Sequence, residues 1–491
     1  MGGYFFSAAG FSLMLSLVTA YHILRYKHRE SVSSILWLVI TFSFPFFGAA
    51  LYFLFGVNRV KVKGLRLVAA RHLLLAQPGT HATEVLRRRA TNIQHFNTAK
   101  HFDHQIRATM ALDRQLPDMP AFEGNRILLL QNGNEAYPAM LEAIQMAENS
   151  IHLQTYIIRP DRIGKRFMDL LAVKAQQGVH IRFLYDRLGS TSAHLRGFFL
   201  EYLLVPNFHI QGYALIHPLK RRLQINLRNH RKLLVVDGRI GFLGGINIHD
   251  ENISAAEKDL RIQDYHFEIH GPAVFELQYS FLQDWHHTAE EKPEALLREE
   301  YFPPAETKGM DFARVIRSGP GPDYEAGHRT FFTLIVMAQR SIRLLTPYFV
   351  PDGPLFTALL NAAARGVDVR IIVPQKNNHW YIHFATRSFF GPLLSAGVRI
   401  YEKPPPFIHA KAMLVDNQWA FVGSSNFDIR SFRLNFELNL EARGPFARQQ
   451  LRRVLEQEIR LSREIELNDF EKRNKLQPIM ENLCSLASPL L

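Results

Sequence analysis

Two runs near the start of the chain, Tyr4 to Leu24 and Ile35 to Gly56, carry no charged side chain, and each is about as long as a helix needs to cross a hydrocarbon core. Between them Arg25-Tyr-Lys-His-Arg-Glu30 forms a short charged loop, so the pattern predicts a helical hairpin that returns the chain to the side of Met1. Tyr21, Tyr26, Trp37 and Tyr52 fall near the ends of the runs, where amphipathic rings favour the headgroup level, while Pro45 and Gly48 predict a kink in the second run. A cleaved leader is the rival reading of the first run. Its length, the lack of a basic start and the second run directly behind it argue against that.

Beyond Gly56 the pattern changes twice. Residues 57–120 are basic and helix-prone, with Arg87-Arg-Arg89 as the densest cluster, and read as a connector close to the membrane surface. From Arg126 short apolar runs alternate with helical stretches, as in an α/β fold. The same elements then recur. Ala147-Glu-Asn-Ser-Ile-His-Leu-Gln-Thr-Tyr156 matches Ala338-Gln-Arg-Ser-Ile-Arg-Leu-Leu-Thr-Pro-Tyr348 with one inserted proline, and Gln177-Gly-Val-His-Ile-Arg182 matches Arg365-Gly-Val-Asp-Val-Arg370, each with Gly at a helix end before a buried strand. The chain is therefore internally duplicated, with a turn cluster, Ser318-Gly-Pro-Gly-Pro322, near the join. The divisions expected are a hairpin at 1–56, the connector at 57–120, a first half at 121–305, a second half at 306–470 and a tail at 471–491. Apolar spacing from Leu476 onward fits packing on the core and lying on a bilayer equally well.

Charge narrows the possible partners. A net charge of +13 points to an acidic partner, either nucleic acid or anionic lipid, and the two uncharged runs select lipid. Arg25, Lys27 and Arg29 pull the hairpin loop inward, whereas Arg59, Lys61, Lys63, Arg66 and Arg71 pull the other end inward, and the reading adopted is a catalytic portion on the cytoplasmic side. The basic, partly apolar segment Pro218–Arg222 with Arg228 suits contact with anionic headgroups and a solvated helix face equally. A single cysteine, Cys484, rules out an intrachain disulfide and any Cys-rich metal framework.

The duplicated element that carries chemistry is a His-x-Lys frame. The first copy runs His230-Arg-Lys232 to Asp237-Gly238 and then Gly244-Gly245-Ile-Asn247; the second runs His409-Ala-Lys411 to Asp416-Asn417 and then Gly423-Ser424-Ser425-Asn426. In both, the Asn follows its His by 17 positions. Read as strand, turn and return strand, the spacing puts His and Lys on one face, makes Asp-Gly and Asp-Asn the hairpin turns, and brings Asn247 or Asn426 back beside its histidine. The two aspartates are thereby mainly architectural.

Two imidazoles and two lysines suit phosphodiester chemistry. The lysines and amide donors stabilise charge on the pentacoordinate transition state, one histidine attacks phosphorus, and the other protonates the leaving alcohol. Each imidazole then needs an acceptor on its other nitrogen, and the candidates are Asp264 after the first frame, with Asp259 as competitor, and Glu437 after the second. His266, Glu268 and His270 alternate with Tyr265, Phe267 and Ile269 as one face of a strand and not as a metal site. No zinc-protease, P-loop or dinucleotide motif is present, so neither a metal nor a cofactor is expected.

The paired HxKxxxxD frames, followed by Gly-Gly or Gly-Ser and then x-Asn, resemble the phospholipase D superfamily. Thr346-Pro-Tyr-Phe-Val-Pro351, Asp428-Ile-Arg-Ser431, Asn435-Phe-Glu437, the hairpin residues Trp37, Pro45, Gly48, Tyr52 and Gly56, and the closing Ser488-Pro-Leu-Leu491 are similar to bacterial cardiolipin synthases. The resemblance implies an internally duplicated α/β fold with one shared active site behind a transmembrane hairpin in the inner bacterial membrane. It implies metal-independent transfer between two phosphatidylglycerol molecules, giving cardiolipin and glycerol, with His230, Lys232, Asp237, His409, Lys411 and Asp416 as the motif set. It also makes His230 the nucleophile and His409 the acid and base, an order the residues alone leave open. One departure stands out, Gly245 where the second copy has the hydroxyl of Ser424. Rival functions are a hydrolase, a transferase using another alcohol, a nuclease, disfavoured by the apolar runs, and an inactive scaffold, disfavoured by two intact frames.

Overall fold

A computed structural model of the chain describes residues 2–27, 31–53, 119–213, 216–217, 222–223, 227–254, 261–319, 325–474 and 476–486. The connector at 57–118, most of the Pro218–Arg222 segment, Asp259 and the closing Ser488–Leu491 lie outside these residues. The chain divides into two compact units, residues 1–66 and 67–491.

In the first unit α1 (Gly2–Lys27) covers the first uncharged run. The second run, expected as one kinked span, breaks into α2 (Ser31–Ser43) and α3 (Pro45–Leu51). Pro45 causes the break, because its ring disfavours helical backbone at the residue before it, and Phe44 accordingly leaves the helix at φ −135° and ψ 74°. A Cβ on Gly48 would lie 2.4 Å from the carbonyl oxygen of Ile40, so only glycine lets the chain return so closely. Among the described residues no helix is long and apolar enough to cross a membrane. The packing is nevertheless inverted relative to a water-soluble bundle. Ser16, Thr19, Ser34 and Thr41 are buried, with Ser16 Oγ donating to the Thr41 carbonyl at 3.3 Å, while Phe11, Leu17, Leu36, Phe42 and Phe47 face outward.

The second unit is built on one 15-stranded sheet. The first half supplies β1 (Ala121–Gln131), β2 (Ser150–Thr155), β3 (His180–Asp186), β4 (Phe208–Tyr213), β5 (Leu233–Val236), β6 (Ile240–Gly244) and β7 (Tyr265–His270). The second supplies β8 (Asp311–Ser318), β9 (Ser341–Leu345), β10 (Asp368–Pro374), β11 (Arg399–Lys403), β12 (Ala412–Val415), β13 (Trp419–Gly423), β14 (Glu437–Arg443) and β15 (Arg463–Glu464). From the centre outward the first half reads β1-β7-β6-β5-β2-β3-β4 and the second β8-β14-β13-β12-β9-β10-β11, with β15 on its edge. The same order thus appears twice, and the halves join where β1 pairs antiparallel with β8.

Helices cover the sheet in matching places. They are α4 (Asn132–Met146) and α5 (Arg162–Gln176) in the first half, α6 (Val274–Ala289) after β7, and α7 (Ala326–Met337) and α8 (Gly353–Ala364) in the second. Local chemistry explains their ends. Asp161 caps α5 by accepting from Gly164 N at 3.0 Å, Asp352 caps α8 by accepting from Leu355 N at 3.3 Å, and the glycines expected at the helix ends, Gly178 and Gly366, sit at φ 96° and 83°. Each half has an apolar core under its own helices, and a third core, with Leu277, Phe281 and Trp285 of α6, fills the other face and spans the join. The strand ends that carry the frames are therefore held from both sides.

Candidate active site

Each frame closes on a tight hairpin. Asp237 and Gly238 lie at φ 50° and 63°, and Asp416 and Asn417 at φ 53° and 55°, the two consecutive left-handed residues of a twist-matched two-residue turn. Asp237 accepts the amides of Glu148, Asn149 and Ser150, and Asp416 those of Gln339, Arg340 and Ser341. These carboxylates pin the turn that precedes β2 or β9, at the strand end away from the histidines. Although both belong to the motif set, neither lines the cleft.

The His-x-Lys residues differ from expectation in one respect. They stand just before β5 and β12, and their backbone pairs with the opposite half. His230 N donates to the carbonyl of Phe436 at 2.9 Å, beside the parallel bridge between Asn229 and Phe436. His409 N donates to the carbonyl of Gln263 at 2.7 Å, beside the short parallel strands Ile262–Gln263 and Phe407–Ile408. The residue following each contact is a carboxylate, so the acceptors are exchanged. His230 Nδ1 lies 3.0 Å from Glu437 Oε2, and His409 Nδ1 lies 2.8 Å from Asp264 Oδ2. The two candidate acceptors thus each serve the histidine of the opposite half.

The Gly245–Ser424 difference follows from the lengths of these acids. Ser424 Oγ donates to Glu437 Oε2 at 2.5 Å. At the equivalent place in the first half, a Cβ on Gly245 would lie 2.2 Å from Asp264 Oδ1, because the shorter acid sits against the backbone and accepts from Tyr265 N at 2.7 Å. Glycine makes room there for the carboxylate itself.

Burial sets the charges. It lowers the His230 pKa to about 4 and that of His409 to about 3, the latter also pushed down by Lys411, so both rings are neutral near pH 7. It likewise lowers Lys232 to about 7 and Lys411 to about 8. Burial opposes charge on Asp264 and Glu437 too, but Lys411 and His409 around the first, and His230 and Lys232 around the second, hold both below the usual carboxylate range. An ionised acceptor at Nδ1 favours the Nδ1–H tautomer and leaves an Nε2 lone pair on each ring. Each lysine donates to the carbonyl of its own histidine, Lys232 Nζ to His230 at 2.5 Å and Lys411 Nζ to His409. Lys232 Nζ lies 5.3 Å from the centre of the Tyr156 ring, and Lys411 Nζ also lies over its histidine ring, 2.9 Å from Nδ1 and 3.0 Å from Nε2.

Both histidines line one cleft of about 1120 Å³, together with Asn247, Asn426 and Asp264. It exceeds the usual range for a single small-ligand pocket, about 300–1,000 Å³. Sequence reasoning missed several of its walls. Tyr156 packs edge-on to His230 at 4.9 Å and Tyr348 to His409 at 6.3 Å, although the repeated Thr-Tyr and Thr-Pro-Tyr were visible. Arg228 is buried in the wall, and its guanidinium hydrogen-bonds, among the described residues, to the Leu227 carbonyl at 3.1 Å. Arg231, the middle residue of the first frame, reaches instead into the join, donating to Asp284 at 2.8 Å and to the Glu437 carbonyl at 3.0 Å. His266 is buried on β7, and among the described residues no group of three or more His, Cys, Asp or Glu side chains is arranged to hold a metal ion.

A duplicated α/β sheet with one cleft between two His-Lys frames defines a phosphodiester-transferring enzyme with phospholipase D-like halves. Residues 140–285 and 331–459 match the model of the cardiolipin synthase, phospholipase D-like domain, and residues 14–56 match that of the phospholipase D-nuclease N-terminal segment. The chain belongs to the cardiolipin synthase family. It is 34% identical to the cardiolipin synthase of Geobacillus thermodenitrificans over 98% of this chain and 94% of that protein, and 33% identical to the major cardiolipin synthase ClsA of Bacillus subtilis over 97% and 98%. In fold it is similar to phosphatidylserine synthase of Haemophilus influenzae, with a TM-score of 0.57 and 15% identity over 78% of this chain and 98% of that one.

Proposed function

We propose that this phosphatidyltransferase joins two phosphatidylglycerol molecules into cardiolipin and releases glycerol, by way of a phosphatidyl-histidine on His230. The observation that carries this reading is the exchanged pair of carboxylates, which gives one cleft two neutral imidazoles with oriented lone pairs. Nε2 of His230 attacks phosphorus and the bond to the glycerol oxygen breaks. His409 gives that oxygen its proton, the phosphodiester's negative charge favouring the imidazolium form against the burial that depresses it. The hydroxyl of the second phosphatidylglycerol then loses its proton to His409, its oxygen bonds to phosphorus, and the bond to His230 breaks. Lys232, Lys411, Asn247 and Asn426 stabilise charge on the phosphoryl oxygens. Neither a metal nor a cofactor enters a step.

The size of the cleft, and Arg159, Arg261 and Lys376 in its lining, suit two anionic headgroups better than one alcohol and water. Residues 1–56 serve as a multi-pass anchor in the inner membrane, supported by the outward apolar and inward polar packing of α1 to α3, an arrangement favoured where lipid replaces water. In this reading residues 57–120 connect the anchor to two halves at 121–305 and 306–470 on the cytoplasmic side, and anionic lipid, not nucleic acid, is the partner of the basic surface. Mass spectrometry of products from labelled phosphatidylglycerol tests the reaction. Cardiolipin with equimolar glycerol is expected; phosphatidic acid alone would make the protein a hydrolase, and adducts formed preferentially with an added alcohol would change the acceptor.

A further inference from the structure

The last described helix is built inside out. In α10 (Gln477–Leu486, following α9, Trp380–Arg387), the buried positions are Glu481 and Cys484, while Ile479, Leu483 and Leu486, with Leu476 just before the helix, stand in one stripe on the outside. The orientation is fixed by charge. Glu481 is 1% exposed, with Arg473 Nη2 at 3.3 Å and Arg387 Nε at 3.6 Å, so turning the apolar stripe inward would break a buried ion-pair network. Water does not favour such a stripe, whose Leu486 is 79% exposed.

The helix that carries the stripe backs onto the wall of the catalytic cleft. The buried face of α10 packs on α9, where Cys484 meets Ile382 and Ala385, and Tyr381 and Ile382 of α9 line the cleft. At the start of α9, Trp380 is exposed beside them, an amphipathic ring of the kind enriched at membrane–water interfaces. The equivalent position in the first half carries a second apolar projection. After β3, Leu188 lines the cleft, and the chain goes on to Leu195, Leu200 and Leu204, the last of them 90% exposed. Apolar segments thus follow the carboxyl ends of the equivalent strands β3 and β10 in the two halves, and the cleft they line carries Arg159, Arg261 and Lys376, with Glu251 paired to both arginines. Apolar flanks around a cationic mouth complement a bilayer of anionic lipid.

We infer that the outer stripe of α10, with Trp380 and the Leu195–Leu204 projection, docks on the lipid bilayer and sets the cleft against the leaflet from which it draws substrate. The inference rests on the lipid-transfer reading for the identity of the surface. Docking is read without turnover, however, so the two can fail separately.

The full chain carrying Cys484→Ala and Ile479→Cys is labelled with an environment-sensitive fluorophore and placed in vesicles of phosphatidylglycerol and phosphatidylethanolamine with brominated acyl chains. The label at 479 is expected to be quenched, and a label at Glu148→Cys, beside the Asp237 turn at the far end of β2, is expected not to be. In the wild-type background Ile479→Glu with Leu483→Glu is expected to lower activity on vesicles by about tenfold, equivalent to about 1.4 kcal/mol, while activity on phosphatidylglycerol dispersed in detergent stays within about twofold. An unquenched label at 479, a disulfide formed between two copies of the unlabelled Ile479→Cys protein, or equal loss in both assays would each overturn the inference.

Discussion

His230 and Glu437 are 207 positions apart in the chain, yet Nδ1 of one lies 3.0 Å from Oε2 of the other. The reciprocal contact, His409 with Asp264 across 145 positions, is 2.8 Å. Neither half therefore contains a working histidine by itself. Each frame brings the ring and the lysine, and the opposite half brings the acid that fixes the tautomer, so docking of the halves assembles both dyads at once. That dependence explains why the join is held by buried side chains such as Arg231, which ties Asp284 of the first half to the Glu437 carbonyl of the second.

Glu437→Gln and Asp264→Asn are expected to lower kcat by about 10²–10⁴-fold with little change in KM, because an amide can hold the ring but does not favour the Nδ1–H tautomer or stabilise imidazolium. Steady-state kinetics on detergent-dispersed phosphatidylglycerol checks this. Adding Glu437→Gln to His230→Ala should cost nothing further, since the acid acts through the ring.

The pH dependence of kcat/KM reports the free enzyme. His230 works as the neutral ring, so activity rises with pH as it loses its proton at about 4, well below the ordinary 6.5. The lysines and the imidazolium form of His409 work as cations, so activity falls with rising pH as Lys232, lowered to about 7, Lys411, lowered to about 8, and His409, lowered to about 3 but raised by a bound phosphodiester, lose their protons. Lys232→Arg keeps its charge and should move the alkaline limb upward whatever it costs in rate. An acid limb at 6.5 would mean that burial does not set the ionisation of the nucleophile.

Gly245→Ser tests why the two copies differ. Its Cβ would meet Asp264 Oδ1 at 2.2 Å, so it should displace the acid from His409 and approach the loss expected for Asp264→Asn. Ser424→Ala, which removes one hydrogen bond to Glu437, should cost about 1.5–3 kcal/mol or less in kcat/KM. Equal, small effects of the two substitutions would show that the carboxylate at 264 has room to spare.

Arg228 has Phe407 as its counterpart two residues before the other histidine, and it is a buried guanidinium facing the cleft with its one described hydrogen bond going to a neighbouring carbonyl. Arg228→Gln should lower kcat/KM for phosphatidylglycerol by about 1.5–3 kcal/mol, the worth of a hydrogen bond to a charged group, without lowering the melting temperature. A large fall in melting temperature at unchanged activity would assign Arg228 to the fold.

The sequence showed the duplication, both frames and the turns, because each rests on spacing within a few residues, and positive φ at Asp237, Gly238, Asp416 and Asn417 is what those residue types permit. It named Asp264 and Glu437 as acceptors but not which histidine each serves. The exchange depends on two short parallel contacts, 262–263 with 407–408 and Asn229 with Phe436, whose partners are set only when the halves meet. Gly245 looked like a lost hydroxyl because the space it leaves is filled by a side chain 19 positions away. Pro45 was legible as a kink, and the structure shows a break. The tail's apolar spacing left packing on the core and lying on a bilayer open; Glu481 and Cys484 pack against the fold while Ile479, Leu483 and Leu486 stay exposed.

Covalent trapping tests the central claim most directly. Wild-type protein is mixed with phosphatidylglycerol labelled in its phosphate, quenched in denaturant within the first turnover, and digested. An acid-labile, base-stable label on the peptide containing His230 is the predicted result, absent when His230 is replaced by Ala. Label on the His409 peptide of the wild-type protein, or cardiolipin formed at the wild-type rate by His230→Ala protein, would contradict it.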